Sequence, residues 1–148
     1  MVCLNQPVNI NKSDLMEHDL YYHIDKIITS AQALIGDCDG ELSPKQTDFI
    51  RIILSNAERF IHLATDFMSV PHAEITPELR HELGNPLTPI LGYSELLEMQ
   101  LIHTMTHDQQ THVLTITTST RELRQLVDDL LDQARKSKKR GVTGTLSK

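Results

Sequence analysis

No tryptophan occurs among the 148 residues, and aromatic side chains make up only 4% of them. Since 39% of the chain is nevertheless hydrophobic, any core must be aliphatic, which suits a helical bundle. Positive charge is also scarce. Fourteen Lys and Arg stand against twenty Asp and Glu, for a formal net charge of −6. No basic stripe offsets that balance, so a nucleic-acid footprint is excluded. The two cysteines, Cys3 and Cys38, have neither metal-ligand spacing nor a disulfide framework, which points to a reducing cytoplasm. No apolar run approaches the length of a membrane span and no secretory leader is visible, so no membrane association is expected. The length is that of one domain able to bury a real core.

What is present is helical periodicity. After an unpatterned lead-in over residues 1–12, Ser13 is a plausible N-cap for a helix over 14–35. Its apolar seam is Leu20, Ile24, Ile27, Ala31 and Leu34, spaced four, three, four and three as in a bundle helix. Turn residues 36–40 break it; the Asp-x-Asp-Gly they contain is too short for a calcium loop and reads as a solvated turn. Ser43, Pro44 and Gln46 supply an N-cap, a first-turn proline and a capping-box glutamine. They open a second helix to about Met68, with Ile53, Ala57, Phe60, Ala64 and Phe67 on its seam. Thr76 and Pro77 open a third, over 76–97, with Leu83, Leu87, Ile90, Ser94 and Leu97 on the seam. A fourth begins with a capping box at Thr106 and Gln109 and runs to about Ala134; Ile116, Thr120, Leu123, Val127 and Leu130 form its seam.

Adding 63 to each seam residue of the first two helices gives the seam of the last two, without a gap. The same offset carries His18 onto His81, Asp19 onto Glu82 and Gln46 onto Gln109. Matching seams, caps and histidines mark a tandem duplication. One hairpin spans 13–69, the other 76–135, and a solvated basic tail over 136–148 is expected to be flexible. The linker is long enough for the hairpins to close on each other, because neighbouring helices sit about 8–10 Å apart. The expected fold is therefore all-α, an antiparallel four-helix bundle of two repeated hairpins. A homodimer formed by hairpin swapping is the alternative.

The third helix has one unusual face. His81, Asn85, Thr88 and Gly92 lie opposite the seam with no packing role. Pro86 and Pro89 sit inside the helix, where each removes an amide donor and crowds the preceding turn. His81-Glu82-Leu83-Gly84-Asn85-Pro86-Leu87-Thr88-Pro89-Ile90, followed by Gly92-Tyr93-Ser94-Glu95-Leu96-Leu97, resembles the H-box of bacterial sensor histidine kinases. That box lies on the first helix of their dimerisation and histidine-phosphotransfer domain. The stretch from Arg121 to Asp132 is similar to the second helix of the same domain. In the family two such hairpins associate into a four-helix bundle; here both lie on one chain. The family usually carries Arg or Lys where this chain has Gly84, a departure that bears on contacts to a kinase domain or partner.

The resemblance implies that His81 is the phosphoacceptor and that Glu82 favours the cation developing on the ring as the N–P bond forms. It also implies that Asn85 orients a water for attack on a receiver's phospho-aspartate, giving phosphatase action. Gly84, Thr88 and Gly92 are the expected partner-binding positions, flanked on the fourth helix by Val113 to Thr117. The first hairpin has Tyr21-Tyr22-His23 where the second has Gly84-Asn85-Pro86, so it keeps a histidine but not the amide or the proline. Tyr22 and Asp25 make its outward face bulkier and more acidic, and one docking site per chain is expected. His23 reads as an ordinary packed or solvated histidine. His103, His107 and His112 lie near the second hairpin turn, but no carboxylate or cysteine completes a set, so no metal is expected.

No glycine-rich phosphate loop or acidic Mg²⁺ site is visible, so autophosphorylation from ATP is not expected. The chain binds no cofactor of its own on this reading, and Mg²⁺ belongs to the partner. The expected role is that of a stand-alone phosphotransferase in two-component signalling, its partner a response-regulator receiver domain or a separate histidine kinase. The rival reading is a non-catalytic pseudo-phosphotransfer binding module that sequesters a receiver or histidine kinase without chemistry.

Overall fold

A computed structural model describes residues 12–36, 41–69 and 76–146. The lead-in, Cys3, Cys38, the Asp-x-Asp-Gly turn and most of the linker lie outside the described residues. Five α-helices make four rods: α1 (Lys12–Gly36), α2 (Pro44–Met68), α3 (Pro77–Gly84), α4 (Leu87–Leu96) and α5 (His107–Leu146). No strand occurs among the described residues. No helix among them is long and apolar enough to cross a membrane.

The third rod is built from α3 and α4. Pro86 cannot donate to the carbonyl of Glu82, nor Pro89 to that of Asn85. Asn85 (φ −56°, ψ −47°) and Pro86 (φ −69°, ψ −18°) still hold right-handed helical dihedrals. The chain therefore stays in right-handed helical conformation through the gap, with part of its hydrogen-bond ladder missing. Asn85 N–H donates to the His81 carbonyl at 3.1 Å, and Ile90 N–H reaches the Pro86 carbonyl only at 3.5 Å. The rod ends in a π-helical turn, Leu97–Leu101, and a 3₁₀ turn, Ile102–Thr104.

The four rods form a ring. α1 packs against α2 and α5, and α3 with α4 packs against the same two helices from the opposite side. This is an up-down-up-down bundle closed within one chain. Every predicted seam residue whose side chain is described is buried, from Leu20 through Val127. Positions 63 apart are buried in pairs, including Leu20 with Leu83, Ile24 with Leu87, Phe60 with Leu123 and Ala64 with Val127. Ala31 and Ala57 of the first hairpin face the core where the second has Ser94 and Thr120. Burying those hydroxyls is tolerable because each bonds along its own helix, Ser94 Oγ to the Leu91 carbonyl at 3.0 Å and Thr120 Oγ1 to that of Ile116 at 2.6 Å.

The helix starts are fixed by side chains. Ser43 and Gln46 form a reciprocal capping box at α2, and Thr106 and Gln109 do the same at α5. Such a cap is worth about 1 kcal/mol. Gln46 also donates to Thr104 Oγ1 at 2.8 Å, which ties the two caps together at one end of the bundle. Thr76 caps α3 by accepting from Leu79 N–H at 3.1 Å.

Two boundaries differ from the sequence expectation. α1 begins at Lys12, so Ser13 lies inside the helix rather than capping it. α5 continues to Leu146, through the segment expected to be a flexible tail from residue 136. Lys and Arg are good helix formers, and positive charge is favoured toward a helix C-terminus. The lysines that read as a solvated tail are therefore equally suited to a solvated helix.

Candidate phosphoacceptor site

The register of α3 on the bundle follows from its seam. With Leu83, Leu87 and Ile90 fully buried, the residues half a turn away must face solvent. His81, Glu82, Asn85, Thr88 and Gly92 are all exposed, and Gly84 is half-buried. Pro86 is buried, so the proline that interrupts the ladder also contributes to packing. Among the described residues, neither the His81 ring nor the Glu82 carboxylate has a partner within hydrogen-bonding or ion-pairing distance.

His81, Gly84, Asn85 and Thr88 line one pocket of about 240 Å³ together with Leu87, Arg124, Val127 and Asp128. Four of the six predicted site residues thus converge on a single concavity. Glu82 sits beside it on the helix surface, and Gly92 lies one turn beyond Thr88, outside it.

The wall supplied by α5 was not anticipated. The expected flank, Val113 to Thr117, is displaced toward the hairpin turn, and Val113 and Thr117 are themselves buried. Across this hairpin Thr88 faces Arg124 and Glu95 faces Arg121. Arg124 Nη2 donates to Thr88 Oγ1 at 3.4 Å, and Arg121 Nη2 donates to Glu95 Oε2 at 2.8 Å.

The first hairpin shows what happens without Gly84. Its equivalent is Tyr21, whose hydroxyl shares a hydrogen bond with Thr65 Oγ1 at 3.1 Å. Thr65 is the equivalent of Asp128. The tyrosine thus lies across the position that the pocket occupies in the second hairpin. It is Tyr21, rather than Tyr22 and Asp25, that spans this position; Tyr22 points to solvent, where Lys26 Nζ sits 4.7 Å from its ring centroid. His18 remains exposed, 3.7 Å from Asp19. His23 is packed between α1 and α5, with Nδ1 3.4 Å from Glu122 Oε2 but without hydrogen-bond geometry. His103 and His107 are exposed and His112 is half-buried. Among the described residues no group of three His, Cys, Asp or Glu could hold a metal ion.

A Cβ built on Gly84 meets nothing within 4 Å, so a side chain can leave the backbone there without a clash. Gly84→Tyr is expected to reproduce the plug of the first hairpin. Its melting temperature should equal or exceed that of the parent, since glycine within a helix costs roughly 0.5–1 kcal/mol. Reaction of His81 with a phosphoryl donor should fall at least about tenfold, a change of about 1.4 kcal/mol. An undiminished rate would show that the pocket plays no part in access to the ring.

Residues 72–139 match the family model described as His Kinase A (phospho-acceptor) domain. Comparison with curated proteins and with solved structures gave no match. The matched segment contains the pocket, the histidine and most of both rods of the second hairpin: residues 72–139 are a His kinase A phospho-acceptor domain, which supports a histidine-kinase-type role in two-component signalling.

Proposed function

We propose that this chain is a histidine phosphotransfer protein in which His81 exchanges a phosphoryl group with the aspartate of a response-regulator receiver domain. The observation that carries the proposal is the contrast between two exposed histidines 63 residues apart: His81 opens onto a pocket, whereas Tyr21 and Thr65 occupy the corresponding position beside His18. A neutral imidazole attacks phosphorus with one nitrogen, and the accessible ring of His81 suits that role. Glu82, adjacent and exposed, favours the positive charge that develops on the ring. Asn85 lies one turn on, lining the same pocket. Its side-chain amide is suited to orient a water against a phospho-aspartate, which adds phosphatase action toward the receiver. The phosphoryl group reaches His81 from a charged receiver or from a separate kinase, and Mg²⁺ is held by the receiver.

The paired burial at positions 63 apart supports descent of both hairpins from one by tandem duplication, with the first having lost its site. That history makes one productive docking site per chain, centred on Gly84, Thr88 and Gly92. A Cβ on Gly92 meets nothing within 4 Å, so Gly92→Trp should fold normally yet obstruct an approaching receiver. Its affinity for a receiver that binds the parent, measured by titration calorimetry, should fall about tenfold or more, about 1.4 kcal/mol. Two equivalent sites per chain, or unchanged affinity in Gly92→Trp, would contradict the one-site reading.

Incubation with a panel of receiver domains charged by acetyl phosphate tests the function itself. Acid-labile, base-stable label should pass to this chain from at least one of them. Stable binding of a receiver without any transfer would instead support the non-catalytic sequestering module.

A further inference from the structure

Among the described residues Arg124 is the one arginine or lysine lining the pocket of His81. Among the described residues no carboxylate lies within ion-pairing distance of it, and its hydrogen bond to Thr88 Oγ1 is long, at 3.4 Å. Arg121, one turn earlier on α5, differs: its guanidinium is committed to Glu95 at 2.8 Å. Asp128 lies one turn after Arg124 and lines the same pocket. The first hairpin has Ile61 where the second has Arg124, and Thr65 where it has Asp128. An uncommitted guanidinium thus occurs in the hairpin with an open pocket and is absent from the one where Tyr21 lies across that position.

We propose that Arg124 binds the phosphoryl group as it is transferred to His81, a step that rests on the assignment of His81 as the phosphoacceptor. A transferring phosphoryl group spreads its charge over three equatorial oxygens, and catalysis of such transfers is largely positioning and charge stabilisation. A planar guanidinium can donate two parallel hydrogen bonds to such oxygens. Arg124 gives up only the weak contact to Thr88 to do so. As the N–P bond forms, the donor's bond to phosphorus breaks and the leaving group keeps the electron pair. The proton on the other ring nitrogen then passes to solvent. With a receiver the leaving group is the aspartate carboxylate; with phosphoramidate, +H₃N–PO₃²⁻, it is ammonia.

Phosphoramidate needs no partner protein, so it separates this proposal from the identity of any receiver. The full chain is treated with it at neutral pH, and label is followed by ³¹P NMR and mapped by mass spectrometry. His18 serves as an exposed histidine in the same molecule that lacks an arginine at the equivalent position. In the parent, His81 should react about tenfold or more faster than His18. Arg124→Ala should bring the His81 rate down to that of His18 while leaving the His18 rate and the melting temperature unchanged, and Arg124→Lys should lie between. Equal His81 rates in the parent and Arg124→Ala would overturn the role of Arg124 while leaving receiver-dependent transfer to His81 intact. A parallel fall at both histidines would also overturn it, since the effect would then not be local. Loss of receiver-dependent transfer in the parent, with phosphoramidate labelling intact, would instead remove the proposed function and spare the contact.

Discussion

His81→Gln should accept no acid-labile label from a charged receiver, a loss of more than about 10³-fold in rate, whereas His18→Gln should retain nearly all of it. Glutamine approximates the size and polarity of histidine but offers no nucleophilic nitrogen, so the effect isolates the chemistry. Since His81 is exposed and its ring makes no hydrogen bond among the described residues, its replacement should change stability by no more than about 0.5 kcal/mol. Equal melting curves for parent and variant would exclude unfolding as the cause of the loss. The asymmetry between the two histidines is the sharper part. Both are exposed and both have an acidic neighbour, Asp19 or Glu82. If exposure and a neighbouring acid sufficed, the two substitutions would have similar effects. The pocket, with Asn85 and Arg124 on its lining, sets His81 apart from His18.

Leu87→Asp should unfold the protein. Leu87 is completely buried at the start of α4, beneath the pocket, where the proline gap already leaves part of the ladder unmade. An aspartate there loses the leucine's packing, worth 2–5 kcal/mol for truncation alone, and adds a buried polar group without a partner. The combined cost should exceed about 4 kcal/mol, a large share of the 5–15 kcal/mol that typically stabilises a domain. Both hairpins should melt together because α4 packs against α2 as well as α5. Circular dichroism at 222 nm reads this directly. Leu114→Asp is the control: Leu114 is 47% exposed, so its variant should melt within a few degrees of the parent. A Leu87→Asp protein as stable as the Leu114→Asp one would mean that the seam does not form the core.

The bundle was legible because its core is periodic. A four-three spacing of mostly apolar residues repeats through every rod, and even the β-branched stretch from Thr111 to Thr120 keeps to it. The caps were equally plain, since Ser43 with Gln46 and Thr106 with Gln109 act within one turn of chain. What escaped sequence reading depends on the relation between helices. The wall of the pocket was misplaced by about three turns, to Val113–Thr117, because which residues face each other across a hairpin depends on how its two rods pack, which neither rod's own sequence states. The π-helical and 3₁₀ turns between Leu97 and Thr104 give no hydrophobic signal of their own. Arg124 was hidden for the same reason. Tyr21 looked like one bulky residue among several, and only its contact with Thr65, in a different helix, shows that it spans the position of the missing pocket. The helical state of the basic C-terminal segment was obscured by composition, because lysine favours both solvated tails and solvated helices.

The central claim is that this chain carries one phosphoryl acceptor and that it is His81. The most direct measurement is the stoichiometry and position of the label after a charged receiver is mixed with the intact chain, read by mass spectrometry at neutral pH to preserve phosphohistidine. The account predicts at most one phosphoryl group per chain, on His81. Label on His18, or two groups per chain, would contradict it.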